Sequence, residues 1–137
     1  MSTQSIAPVF PISNAKLWTG RVLSGIVVLF MLFDAVIHLM RIPPVVEAFA
    51  QLGLPLSLAV PLGIVELMCL AVYVFPRTSV FGAILLTGYL GGAVAIQARV
   101  GNSLFGETLF PVYIGILLWG GLLVRDEKFC AIFPVRH

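Results

Sequence analysis

The sequence predicts an all-α protein that crosses a lipid bilayer as a bundle of four helices. Of its 137 residues, 60% are hydrophobic and only 10% are charged, whereas a soluble domain has about a quarter charged residues. The mean hydropathy is +1.09. A small soluble domain keeps much of its surface in water, so this composition is typical of a surface that faces lipid. Four apolar spans of about 20 residues with short loops would nearly fill this length.

Prolines and polar turns separate the four predicted spans, which are residues 17–40, 56–75, 79–98 and 108–124. Each is long enough, at about 1.5 Å per residue, to cross most or all of a hydrocarbon core roughly 30 Å thick. No span carries the polar stripe that a helix of a soluble bundle needs. We therefore predict a single membrane domain over residues 17–128.

The flanking segments differ from the spans in composition. Residues 1–16 contain Pro8 and Pro11 and no basic residue before Lys16, which is unlike the basic start of a signal peptide. We expect this lead-in to be poorly ordered or interfacial. Residues 129–137 form the predicted cytoplasmic tail.

The distribution of basic residues predicts the orientation of the bundle. Four spans place both termini on the same side of the membrane. Of the eight Lys and Arg residues, only Arg41 and Arg99 fall on the opposite side. Because cytoplasmic loops carry the excess of Lys and Arg, both termini are predicted to be cytoplasmic.

The two outer loops have different patterns. In the first, residues 41–55, Val45, Val46, Phe49 and Leu52 recur at helical spacing. This pattern predicts a short amphipathic helix across the outer mouth of the bundle, with a plain turn as the alternative. The second loop, residues 100–107, contains glycines and an asparagine that suit tight turns.

Three of the four spans carry polar side chains that are costly at membrane depth. They lie in spans one to three or directly after them, and they are Asp34, His38, Arg41, Glu66, Gln97 and Arg99. An ionised side chain in a bilayer costs a few kcal/mol and persists where it faces the bundle interior, pairs or does chemistry. Asp34, His38 and Arg41 are spaced i, i+4 and i+7, which is one face of a helix.

Small residues accompany these polar groups on the same faces. Gly88 and Gly92 form a G-x-x-x-G pair on the face of Arg99, and such a pair permits close helix contact. Glu66 lies near the middle of its span, whereas Asp34 lies about 6–8 Å further outward along the membrane normal. We therefore predict a polar pocket in the outer half of the bundle, open or nearly open to the outer face.

The residues of this pocket suit acid–base chemistry and ligand binding. Two carboxyl groups beside a histidine can pass protons or act as acid and base, so the candidate catalytic residues are Asp34, Glu66 and His38. The candidate ligand-binding residues are the polar and aromatic side chains around them, namely Arg99, Gln97, Arg41, Tyr113 and Tyr89.

Two further interpretations of the polar groups stay open. A buried ion pair, Asp34–Arg99 or Glu66–Arg99, would only fix the register of the helices. One histidine with two carboxylates could ligate a metal ion, but this set alone is a weak signal and no metal site is predicted. Tyr73, which lies beside Pro76, is expected to anchor the membrane interface.

Several function classes are excluded by what the sequence lacks. It contains no basic run that could track a nucleic-acid backbone, so no nucleic-acid partner is predicted. Cys69 and Cys130 form no C-x-x-C pair, which argues against thiol redox chemistry. The chain carries no phosphate-binding loop and no haem-attachment motif, so the sequence identifies no cofactor.

Several segments together resemble a known family. They are FDAVIH at 33–38, GYLGGAVA at 88–95, QARVG at 97–101, LFPVY at 109–113 and LWGGL at 118–122. With Glu66 at the acidic position of span two, they resemble the DoxX-like family of small four-helix bacterial membrane proteins over roughly residues 17–134. A lysine is common in that family where this chain has His38. The resemblance implies a multi-pass protein of the bacterial inner membrane.

The resemblance also implies a function. The family takes its name from a subunit linked to quinone-dependent oxidation of sulfur compounds. We expect a protein that binds a small lipophilic ligand such as a quinone within the lipid bilayer, as an accessory subunit of a redox complex or as a homo-oligomer. One alternative is a cofactor-independent isomerase or cyclase, with Asp34 or Glu66 as acid and His38 as base. The other is a structural or assembly protein whose polar groups only pack.

Overall fold

A computed structural model describes residues 13–126 and 129 of the chain. The predictions for residues 1–12, and for the tail apart from Phe129, lie outside these residues. The described chain forms five α-helices joined by short turns. They are α1 (Asn14–Met40), α2 (Pro43–Gln51), α3 (Ala59–Val74), α4 (Ser79–Arg99) and α5 (Phe110–Arg125).

Four helical segments are long and apolar enough to cross a membrane, which confirms the predicted four-helix bundle. They are Asn14–Met40, Leu56–Val74, Ser79–Arg99 and Leu104–Arg125. Their ends lie within a few residues of the predicted ones. The fourth is longer than predicted, because a π-helical turn over Leu104–Thr108 leads directly into α5. The cytoplasmic location of both termini stays a prediction.

Local sequence explains where the helices begin and end. The Ser13 hydroxyl accepts a hydrogen bond from the Lys16 N–H at 3.4 Å and so caps α1. At its other end α1 stops at Arg41, which adopts the left-handed conformation with φ 49°. The prolines that follow begin α2, since proline suits the first turn of a helix. This short helix confirms the amphipathic helix predicted for the first outer loop.

The four long helices form a closed ring. α1 packs against α3 and α5, and α4 packs against the same two helices. α1 and α4 therefore face each other across the ring. Large apolar side chains point away from it, among them Leu29 at 69%, Met68 at 65% and Ile116 at 64% exposure. Such a surface is stable against lipid and not against water.

Glycines bring the helices into close contact on the side of the ring that holds Asn14 and Arg125, here called the terminus side. A Cβ on Gly20 would lie 2.8 Å from the Arg125 Cβ and 2.9 Å from the Gly121 carbonyl oxygen. On α4, a Cβ on Gly82 would overlap the backbone of Tyr73. The backbones of α1 and α5, and of α3 and α4, therefore touch where no side chain stands between them.

The position of Tyr73 corrects one expectation from the sequence. Its side chain is only 1% exposed, so it is not an interfacial anchor. Its hydroxyl lies 2.9 Å from the Ser24 hydroxyl and donates to the Leu118 carbonyl at 3.3 Å. A buried tyrosine needs such partners for its hydroxyl. Tyr73 therefore joins α1, α3 and α5 inside the ring and fills its terminus side.

The G-x-x-x-G pair on α4 lies at an open part of the ring. Gly88 and Gly92 are exposed, and a Cβ on either would meet nothing within 4 Å. The close helix contact that such a pair permits is therefore not made at these two glycines within the described chain. They lie instead in the half of the ring nearest α2, here called the α2 side, where the helices separate.

Candidate functional site

A cavity of about 440 Å³ lies on the α2 side of the ring. Residues from all five helices line it, and most of them are apolar. Gly88 and Gly92 of α4 form part of its wall, opposite Asp34 and His38 of α1. Phe49 of α2 also lines the cavity. A mostly apolar concave surface with a few polar groups is the usual form of a small-molecule site.

Asp34, His38 and Glu66 form a compact cluster at this cavity. The His38 Nδ1 lies 3.3 Å from Asp34 Oδ2 and 3.9 Å from Glu66 Oε2. One ligand atom from each of the three residues lies within 4.8 Å of the others. From their positions in the spans, Asp34 is predicted to lie about 6–8 Å further outward than Glu66. Their side chains nevertheless lie close together.

A glycine on α3 explains how the cluster forms. Gly63 lies three residues before Glu66, on the same face of the helix. A Cβ at Gly63 would stand 3.0 Å from the Ala35 carbonyl oxygen and 3.2 Å from the His38 Cβ. The absence of a side chain at Gly63 lets α3 touch α1 at the level of His38. The contact places Glu66 beside the histidine.

Glu66 lies behind the cavity wall and not in it. Its side chain is 0% exposed, and it is separated from the cavity by His38 and Tyr89, which do line it. The Tyr89 hydroxyl donates to Glu66 Oε2 at 3.0 Å. Glu66 Oε1 has no hydrogen-bond partner among the described residues. A buried oxygen left without a partner costs about 1–3 kcal/mol.

The hydrogen bonds of His38 define which ring nitrogen carries a proton. Nδ1 lies 2.7 Å from the backbone carbonyl oxygen of Asp34. Because a carbonyl oxygen only accepts, we assign a proton to Nδ1. The three residues have the spacing of a metal site, but a metal bound through Nδ1 would have to replace that proton. The hydrogen bond therefore favours Nδ1 as a donor over Nδ1 as a metal ligand.

Gln97 and Tyr89 are the predicted ligand-binding residues that line the cavity. The Gln97 amide oxygen accepts a hydrogen bond from the Asn102 amide, which leaves its own NH₂ group available. The Tyr89 hydroxyl already donates to Glu66, so toward a ligand it offers its oxygen as an acceptor.

The other three predicted ligand-binding residues do not line the cavity. Arg99 is exposed, and its guanidinium donates to the Leu52 carbonyl at the end of α2. Arg41 is exposed at the end of α1. Tyr113 is 41% exposed, and its hydroxyl donates to the Phe105 carbonyl at 2.9 Å.

The ion pairs considered from the sequence are not formed. Within residues 13–126 and 129, the acidic groups of the cluster pair with His38 and with no arginine. Arg99 instead holds the carboxyl-terminal end of α2, where a cation is favoured by the helix dipole. An Asp34–Arg99 or Glu66–Arg99 pair therefore does not fix the register of these helices.

Aromatic side chains of the cavity were missed by the sequence reasoning. Phe30 and Phe110 pack edge to face with ring centroids 5.3 Å apart, and the rings of Phe49 and His38 do so at 5.7 Å. All four residues line the cavity. The helical spacing around Phe49 indicated its burial, but no signal in the sequence placed Phe30 or Phe110 beside the cluster.

Four membrane-spanning helices around an acidic and histidine-containing cluster define a small multi-pass membrane protein with an intramembrane cavity. The chain belongs to the DoxX-like family, whose model matches residues 22–121. The match includes Asp34, His38, Glu66 and Tyr89. No curated protein and no solved structure matches this chain.

Proposed function

We propose that this DoxX-like protein binds a small lipophilic molecule in the cavity, with the polar end of that molecule against Asp34 and His38. The observation that carries the proposal is the arrangement of the cavity wall. Asp34 and His38 place their polar atoms together on the α1 wall, while Met31, Phe110 and Ile114 supply apolar surface. An amphiphile with one polar end is complementary to such a wall.

Such a ligand would reach the cavity from the bilayer without passing through water. Gly88 and Gly92 are exposed and at the same time line the cavity. With no neighbouring atom within 4 Å of a Cβ at either position, this wall is thin. A lipophilic molecule would enter from the bilayer beside α4. From the resemblance stated for the sequence, one such molecule would be a quinone, and the protein would then be an accessory subunit of a redox complex.

Mass spectrometry of small molecules retained on the purified protein tests this proposal. The wild-type protein is expected to retain a lipophilic compound in a stoichiometric amount. In a Gly92→Leu variant the added side chain enters the cavity, so the retained amount is expected to fall about tenfold or more. Equal retention by both proteins would refute binding in this cavity.

A second candidate function is acid–base catalysis on the bound molecule. It is favoured by the contact between the His38 ring and the Asp34 carboxyl, 3.3 Å apart at the cavity wall, since a histidine beside a carboxyl group is a common proton-transfer pair. An isomerase would exchange carbon-bound hydrogen of its substrate with solvent. Incubation of the retained compound with the protein in D₂O should then introduce deuterium, and Asp34→Asn or Glu66→Gln should abolish it. Absence of exchange with the wild-type protein would exclude this function.

A further inference from the structure

The cavity has an excess of acidic groups. Asp34 lies on its wall, Glu66 lies directly behind the wall, and the described lining residues include no Lys or Arg. His38 is the one group of the cluster that can carry a positive charge. With both carboxyl groups ionised, the cluster is short of at least one positive charge, which a proton or a cation would supply.

The arginines nearest in sequence do not supply that charge. The Arg99 guanidinium is directed to the Leu52 carbonyl oxygen, and Arg41 is exposed at the end of α1. Neither lines the cavity. Charges interact several times more strongly in a low-dielectric interior than in water, so a cation of the ligand placed beside Asp34 would be attracted strongly.

The remaining polar atoms of the wall also favour a hydrogen-bond donor. The Tyr89 hydroxyl donates its hydrogen to Glu66 and has only its oxygen lone pairs left for a ligand. Toward the cavity, the Asp34 carboxyl and the Tyr89 oxygen are acceptors. The Gln97 NH₂ group is an available donor, while an anionic ligand would be repelled by Asp34.

The aromatic wall suits the same type of ligand. Phe30, Phe49, Phe110 and Tyr89 line the cavity, and aromatic faces attract ammonium groups by about 0.5–2 kcal/mol each. We infer that the ligand is a lipophilic amine, bound as its ammonium ion with the nitrogen at Asp34 and the apolar body against these rings. This inference rests on the proposed binding of a lipophilic molecule in the cavity, and it assigns that molecule to the amines and not to the quinones.

Calorimetric titration of the full-length protein with two matched probes tests the inference. The probes are 4-phenylbutylamine and its neutral analogue 4-phenylbutanol, which differ in the charge of one end. The amine is expected to bind at least about tenfold more tightly than the alcohol. Asp34→Asn should reduce that preference to about twofold or less while binding of the alcohol persists.

Two further variants keep the test independent of any folding defect in Asp34→Asn. Gln97→Lys adds a cation to the cavity wall without removing a carboxyl group, and it should also abolish the preference for the amine. Glu47→Gln removes a carboxyl group from the exposed face of α2, outside the cavity, and should leave the preference unchanged.

The possible results separate the two claims. Equal binding of amine and alcohol, both lost in Gly92→Leu, would overturn the amine inference and leave the proposed function standing. Failure of both probes to bind would count against both. A stoichiometric Zn²⁺ complex that is lost in Asp34→Asn, with no preference for the amine, would assign the cluster to a metal ion and overturn the inference.

Discussion

The hydroxyl of Tyr89 donates a hydrogen bond to the fully buried carboxyl group of Glu66, at 3.0 Å from Oε2. The tyrosine lines the cavity and the glutamate does not. Tyr89 therefore stands between any ligand and Glu66. It is also the one hydroxyl among the described residues that satisfies this carboxyl group.

Removal of that hydroxyl should destabilise the protein. In Tyr89→Phe the Oε2 atom of Glu66 loses its hydrogen-bond donor, and we expect a loss of about 1–3 kcal/mol in the free energy of unfolding. Denaturant titration in mixed micelles measures it. Tyr113→Phe is the matched control, since its hydroxyl bonds an exposed loop carbonyl, and it should cost at most about 1 kcal/mol. Equal losses in the two variants would contradict this role of Tyr89.

Close helix contact at Gly20 gives a second prediction. Gly20→Ala places a Cβ within 3.0 Å of atoms of α5, and the resulting overlap should lower the melting temperature by several degrees. Gly25 lies on the same helix and has nothing within 4 Å of a Cβ, so Gly25→Ala should be neutral or slightly stabilising. A fall in melting temperature for Gly25→Ala as large as that for Gly20→Ala would show that overlap is not the cause.

The contact between Arg99 and Leu52 predicts a local effect on α2. Arg99→Ala removes the bond that ties α4 to the end of this helix. Amide hydrogen exchange across residues 48–52 should accelerate by about tenfold, with a change of at most about 1 kcal/mol in global stability. Arg77→Ala, a substitution in the exposed turn between α3 and α4, should leave exchange in α2 unchanged. Unaltered exchange in Arg99→Ala would show that the arginine does not hold α2 in place.

The predicted orientation can be tested by cysteine labelling of intact cells. Glu47 and Arg77 are exposed and lie on opposite sides of the bundle. A membrane-impermeant maleimide should label Glu47→Cys from outside, and it should label Arg77→Cys only after permeabilisation. The opposite pattern would reverse the orientation that the basic residues predict.

Much of the fold follows from the sequence because lipid imposes strong constraints. Backbone polar groups must be satisfied within each span, so apolar length, together with the prolines and polar turns between the spans, located all four helices. The spacing of Asp34 and His38 placed them on one face of α1, and their cost in lipid predicted that Glu66 lies near them. The measured side-chain distances confirm that these three residues lie together. Their roles in binding or catalysis stay proposals.

The features that the sequence did not predict depend on how each helix is rotated about its axis and on which partner each polar side chain contacts. Spacing put Gly88 and Gly92 on one face of α4, but it could not show that this face borders a cavity and not another helix. The backbone carbonyl that receives the Arg99 guanidinium belongs to a loop, and no pattern of side chains reveals it. Tyr73 lies next to a helix end in sequence, yet the ring closes around it.

Two adjacent glycines provide the most direct test of ligand binding in the cavity. Gly92 lines the cavity opposite Asp34, and Gly91 lines a separate groove between α4 and α5. A Cβ at either residue meets nothing within 4 Å, so both leucine variants should fold. Titration with 4-phenylbutylamine should show binding weakened about tenfold or more in Gly92→Leu and unchanged in Gly91→Leu. Equal affinity in both variants would contradict the assignment of the ligand to this cavity.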